Sequence, residues 1–494
     1  MLTLARMMSS GRLLAARAAF GASVLLHALF LLSVATGLLA PLFVEASQGH
    51  GQASDFFGIY QAGSNLVRGY SIYDSADYLH EAPQAVPFYY FYRYLPPTAY
   101  GAALLTLLPP WGAYWLWVAV NEALIALVVL SILRGRRWPA ERRWVAAALW
   151  LGFFPLCIEQ IMGQFSLTMA VLLWFLWRAD SGSHEAPDPR AGHPGVLASQ
   201  ADPSGGPARP GSNADGWSEG RGSAIRRIAQ SWRADRWGPW RGTIAWALSL
   251  TLKTFPVLLA IPYLRDGRLK RLVGGVASAA ALSLPYFAFR PGDLWEFARL
   301  NLSPFAPQLY KGGFGFQSLL GDLVSRLPSG SLVVFAWQGR SLTLGGAIPL
   351  AASLLIAVLA LLATLRSRAK GVERQALDLA LWVTVFFLVF KSVWEYHYVM
   401  MLPVLSALYL VRGSRTVLAV AILLGLPTLF AAGPLLAGID PLAPLNAWPA
   451  WFRVLHFSVK SLPTLALFAW CLAAAVRRPA GPGPDPVAEA LGRE

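Results

Sequence analysis

Cysteine is nearly absent. The chain has two, Cys157 and Cys471, among 494 residues. Both lie in apolar stretches, which argues against a disulfide framework and against a metal site. The histidine-rich and cysteine-rich spacings of zinc sites are also missing. Charge is scarce: 14% of residues are charged and 56% are hydrophobic, with a mean hydropathy of +0.48. A soluble domain would not expose so little charge, so this is an integral membrane protein. The charge that remains is basic, +15 overall. In a soluble chain that excess would point to nucleic acid. Here the basic residues sit in short loops between apolar runs, where membrane topology and anionic headgroups account for them.

The apolar runs carry the fold. Arg6, Arg12 and Arg17 precede a run at about 18–44, long enough to span ~30 Å of hydrocarbon and longer than the core of a cleavable signal peptide. It reads as an uncleaved first helix with a cytoplasmic N-terminus. Basic clusters at Arg134–Arg143, Arg265–Arg271, Arg366–Arg374, Arg412–Arg415 and Arg477–Arg478 then fix the inner side of each later pair of runs. The expectation is an all-α polytopic bundle of about twelve transmembrane helices with both ends inside. Residues 95–110, bracketed by Pro96-Pro97 and Pro109-Pro110, read as a juxtamembrane or re-entrant helix.

Four segments divide the chain. Residues 1–178 form a first membrane module with an outer loop at 45–110. Residues 179–240, rich in Gly, Pro, Ser, Asp and Arg, read as a disordered cytoplasmic insertion. Residues 241–478 form a second membrane module with an outer loop at 290–340, in which Lys311-Gly312-Gly313-Phe314-Gly315-Phe316 reads as a mobile flap. Residues 479–494 are a disordered tail.

The most informative stretch follows the first span. From Ser54 the chain turns amphipathic: Phe56, Ile59, Tyr60, Leu66 and Val67 recur at helical spacing. This predicts a short helix on the membrane surface, stopped near Gly69, with Ser54 as its cap. Asp55 then either supports that cap electrostatically or serves chemistry. The loop-based topology places Asp55, Arg93, Gln164, Lys253, Lys391 and His397 on the same outer side, although they are scattered over some 340 positions. Lys253 either snorkels to the interface or anchors an anion. His397, between Tyr396 and Tyr398, can donate to a phosphate or a sugar oxygen and can change charge near neutral pH. Glu122 and Asp378 read as hydrogen-bonding groups inside helices, His27 as a packed histidine, and His456 and Lys460 as interfacial.

An Asp just past the first membrane helix, followed by Tyr60-Gln61-Ala62-Gly63 and by Gly69-Tyr70-Ser71-Ile72-Tyr73-Asp74, resembles glycosyltransferase family 87. The likeness continues at Pro96-Pro97, Gly163-Gln164, Lys253-Thr254-Phe255-Pro256 and Trp394-Glu395-Tyr396-His397-Tyr398, so it runs over most of the chain. That family belongs to the GT-C superfamily of polytopic transferases that use polyprenyl-phosphate sugars. The resemblance implies a GT-C-type bundle with outer juxtamembrane helices, in the inner or plasma membrane, with its active site on the outer face. It implies transfer of a monosaccharide, mannose by default, from a polyprenyl-phosphate donor to an envelope glycolipid or glycan. A base must take the acceptor proton, and Asp55 is the candidate. Lys253, Arg93, His397 and Lys391 are the candidates to hold the leaving lipid phosphate. Tyr60, Gln164, Trp394, Glu395 and Tyr398 are candidates for substrate binding. One base implies inversion, and no cofactor or metal is expected. Two readings from other classes are a twelve-helix transporter, opposed by the absence of matching halves, and a non-catalytic scaffold for envelope assembly.

Overall fold

The structure is a computed structural model that describes residues 2–40, 51–74, 82–182, 238–253, 255–301, 312–337, 340–428, 438–440 and 443–477. Apart from one hairpin, the regular structure of these residues is helical. In chain order they are α1 (Leu2–Thr36), α2 (Ser54–Val67), α3 (Pro96–Leu105), α4 (Pro110–Arg134), α5 (Ala140–Gly152), α6 (Pro155–Met162), α7 (Ser166–Gly182), α8 (Gly238–Leu252), α9 (Ala260–Arg265), α10 (Leu269–Phe289), α11 (Pro291–Asn301) and α12 (Phe316–Ser325). The antiparallel hairpin β1 (Val333–Trp337) and β2 (Arg340–Thr343) leads into α13 (Leu344–Arg366), α14 (Gly371–Val389), α15 (Met401–Arg412), α16 (Arg415–Gly425) and α17 (Ala450–Val476).

Among the described residues five helices are long and apolar enough to cross a membrane: α1 from Ser10, α4, α10, α13 and α17. The bent pair α5–α6 makes a sixth if it is one span; it turns by 42° where Pro155 starts α6, since proline tolerates a helix start but not its interior. Most of these helices present an apolar outer row, such as Leu354, Leu355, Val358, Leu361 and Leu365 on α13. By contrast α14 and α15 are buried on nearly every side, as expected of helices apolar all round. The remaining apolar helices are shorter or carry more charge than a free-standing span, which is why five to six candidates stand against the expected twelve.

The basic loops gather at one end of this bundle. Arg265 forks onto Asp378 at 3.2 and 2.7 Å and also pairs with Asp266 at 2.9 Å. Arg268 and Arg271 both reach Asp180 at the end of α7, and Arg374 reaches Asp266. Arg142 donates to the last carbonyls of α15, where a cation complements the helix dipole. His27 and Gln160 both hold Glu122 at 2.8 Å, so the packed histidine and the helix-internal acid expected from the sequence are partners of each other.

Several expectations are corrected. Helix α2 does not lie on a surface: Ser54 and Phe56 through Asn65 are all buried, because α3, α4 and α6 enclose it. Its N-cap is Ala53, at φ 69°, and no side chain caps it; Ser54 is the first helical residue. The stop at Gly69, at φ 78°, is as expected. Helix α3 has ten residues, about 15 Å, too short to cross alone. The segment 179–240 is helical through Gly182 and again from Gly238, and the rest of it lies outside the described residues, as do the tail from 478 and Lys311. The described part of the expected flap is pinned: Phe314 is buried, its N–H donates to Val393 O at 2.7 Å, and its carbonyl accepts from Tyr398. His456 and Lys460 are not interfacial but fully buried.

Candidate functional site

At the end of the bundle away from the basic loops, three connections converge. One is the start of α2. The second is the turn between α6 and α7. The third is the segment from Lys391 to Met400, which ends in a short 3₁₀ turn, Glu395–Met400, that packs on α6 and α7.

The backbone at the α6–α7 turn explains how they meet. Gly163 closes α6 at φ 70°, and its N–H donates to Glu159 O at 2.8 Å. A side chain is excluded there: a Cβ on Gly163 would lie 2.4 Å from Phe56 Cβ. Ala53 N–H donates to Ile161 O at 2.8 Å. These contacts press the first turn of α2 onto the turn that carries Gln164. On the other side of α2, Gly58 lets Tyr90 O approach to 2.1 Å of where a Cβ would stand, so the tyrosine-rich segment packs directly on the helix backbone.

Gln164 is the hub. Tyr94 donates its hydroxyl to Gln164 Oε1 at 2.5 Å, and the Gln164 amide faces the Tyr396 hydroxyl at 3.5 Å and stands beside Asp55. Asp55 is half-buried, with its Oδ2 sealed and unpartnered. Burial pushes its carboxyl up to about 6, while Gln164, Lys253 and Arg93 pull the other way. A carboxylate that takes a proton near neutral pH and keeps one free oxygen is suited to act as a base.

Lys253 follows α8 at a break in the helix. It is half-buried and makes a 3.5 Å hydrogen bond to Ser166 Oγ, with its ammonium 5.9 Å from the Tyr396 ring centroid. Arg93 is exposed, over the Phe91 ring at 4.3 Å, and its charge reaches Asp55 and Lys391. Lys391 is half-buried at the rim.

The aromatic motif divides its work. His397 is buried, and its Nδ1 accepts from Trp394 N at 3.0 Å. Burial, with Lys253 nearby, holds it well below the usual histidine range. With Nδ1 accepting, Nε2 is left as the donor of the neutral ring, and the direction of the shift runs against the expected charge change near neutral pH. Trp394 stacks on Tyr396 at 6.4 Å and 10°, an aromatic wall beside the pocket. Glu395 turns away and faces Lys460 at 3.6 Å. Lys460 also donates to Leu424 O and Leu426 O at 2.6 and 2.5 Å, at the end of α16. Tyr398 is fully buried, with its hydroxyl on Phe314 O at 2.8 Å. Tyr60 donates to Leu108 O at 2.8 Å and so ties α2 to the α3–α4 corner. The structure thus gathers Asp55, Gln164, Lys253 and His397, with Arg93, Lys391 and Trp394 at the edge, while Tyr60, Glu395 and Tyr398 are engaged in packing.

Sequence reasoning missed one member. Glu159 is fully buried on α6, and its charge and that of Asp55 both act on Lys253. The available signal was an acid inside the apolar run Pro155–Met162, four residues before Gly163-Gln164.

Among curated proteins, no match to the chain is found. The motifs at Pro96-Pro97 and Gly163-Gln164, however, both fall inside one matched segment: residues 91–198 match the model of glycosyltransferase family 87, the family that these motifs resemble.

Proposed function

We propose that the chain is a membrane glycosyltransferase that moves a monosaccharide from a polyprenyl-phosphate donor to a glycolipid or glycan hydroxyl on the outer face. The family match and the apolar helices point to the coarser part, a membrane glycosyltransferase. The observation that carries the rest is the nearness of half-buried Asp55 to half-buried Lys253, whose charges act on each other. Asp55 would take the proton of the acceptor hydroxyl as that oxygen attacks the anomeric carbon. The bond to the phosphate oxygen breaks, and Lys253 would meet the charge that develops there. Arg93, His397 Nε2 and Lys391 would complete the phosphate shell. Trp394 offers a ring face to the sugar, and Gln164 holds Asp55 in place. One displacement inverts the anomeric centre. Mannose is the default sugar of this reading.

The proposal includes about twelve crossings with both ends inside. Six further helical segments would supply the spans beyond the six: α7, α8, the turn Phe255–Leu259 with α9, α14, α15 and α16. Short spans are tolerated where protein rather than lipid surrounds them.

The test is purified protein in nanodiscs with a panel of labelled polyprenyl-phosphate sugars and short glycan acceptors. Transfer from one donor class, with inversion, is the expected result. No transfer from any polyprenyl-phosphate sugar, with nucleotide sugars accepted instead, would overturn the donor assignment.

A further inference from the structure

Lys253 is an ammonium half out of water with one long hydrogen bond, to Ser166 Oγ. Such a group tends to shed its proton unless negative charge stands near it. Two carboxyl groups stand near it, Glu159 from α6 and Asp55 from α2, and each, when ionised, favours the charged lysine. They are not equivalent. Asp55 is half-buried, whereas Glu159 is sealed. Glu159 Oε1 accepts from Leu167 N at 2.9 Å, and its Oε2 is buried without a hydrogen-bond partner. Ser166, fully buried, stands between Glu159 and Lys253. The other groups facing Lys253 are the Tyr396 ring and His397, neither of which brings negative charge.

We propose that Glu159 is the positioning residue that, through Ser166, keeps Lys253 protonated and turned into the pocket while no phosphate is bound. Asp55 is thereby left free for the acceptor. This rests on the reading of Lys253 as the phosphate-holding cation. It assigns Glu159 no contact with substrate.

Glu159 also has a plain structural task, since Leu167 N is one of the orphan donors at the start of α7. Glu159→Gln separates the two. It keeps an oxygen for Leu167 and removes the charge. Binding of a short-chain polyprenyl phosphate and single-turnover transfer are measured from pH 6 to 10, for wild type, Glu159→Gln, Glu159→Asp and Lys253→Arg with and without Glu159→Gln. The expected result is near-normal behaviour of Glu159→Gln at pH 6 and an alkaline loss of binding displaced downward by about one pH unit, the scale of one nearby opposite charge. Glu159→Asp restores part of the displacement. On the Lys253→Arg background Glu159→Gln causes no displacement, because arginine stays charged. A pH-independent loss in Glu159→Gln, or no change at all, overturns the proposal. A second readout needs no activity: thermal midpoints of Glu159→Gln, Lys253→Met and the double variant. The two substitutions should be strongly non-additive at pH 7. If they are, and wild type transfers no sugar, the functional reading fails and the charge coupling stands. If they are additive, the coupling itself is refuted.

Discussion

At the scale of single residues, Asp55 carries the clearest prediction. It sits in the first turn of α2, where an acid is ordinarily explained as a helix-end charge. Yet no side chain caps this helix. Asn would serve a cap as well as Asp, so Asp55→Asn discriminates. Single-turnover transfer should fall by ~10²-fold or more, the lower end of general acid–base catalysis, with donor binding retained. Lys253→Ala should weaken binding and turnover together. The same carboxyl sets an acid limb. Burial holds it near 6, so the rate should fall as pH drops through about 6. The stability term has the opposite sense. A folded carboxyl raised from its ordinary 3.8 to about 6 binds more protons than the unfolded one in that window. Asp55 should therefore cost stability as pH rises from about 4 through 6, with no further change above. Thermal midpoints of wild type and Asp55→Asn across pH 4–8 check this: the two curves should diverge in that window.

At the scale of elements, the α6–α7 turn and the C-terminal end of α16 are the sensitive points. Gly163→Ala puts a Cβ 2.4 Å from Phe56 Cβ at a φ of 70°. The backbone conformation alone costs ~1–2 kcal/mol in a residue with a Cβ, and α2 must move away as well. The thermal midpoint should drop, and transfer should fall further than stability explains, because Gln164 moves with the turn. Lys460 lies ten residues inside α17, capping the carbonyls of Leu424 and Leu426 and facing Glu395. Removing one partner of such a buried pair costs ~3–5 kcal/mol, so Lys460→Met should be poorly folded. Lys460→Met with Glu395→Gln should recover part of the loss in a chemical or thermal melt.

At the scale of the molecule, the claim under test is sidedness. Exposed Gln84 belongs to the site end and exposed Arg136 to the basic end. In sealed cells a membrane-impermeant thiol reagent should label Gln84→Cys and spare Arg136→Cys. The native Cys157 and Cys471 are buried and give no background. The reverse pattern would invert the topology and place the pocket inside. Deleting about 185–222 should leave insertion and transfer nearly intact, because that composition cannot build a core.

By itself the sequence determined the membrane class and the gathering of basic loops at one end, and it put Asp55, Gln164 and Lys253 on the same side of the apolar runs. These follow from signals that are local in the chain: apolar length, charge in short loops, and a glycine before a glutamine. Tertiary structure alone decided how polar groups spend their hydrogen bonds. Tyr94 and Gln164 are 70 residues apart, and Gln164 and Tyr396 are 232 apart. No periodicity reports such pairs. For the same reason the packing partners of Tyr60, Glu395 and Tyr398 are not legible in the sequence, and Glu159 reads as one more residue of an apolar helix. A buried polar group takes its role from whatever lies across the bundle, and only packing brings that into view.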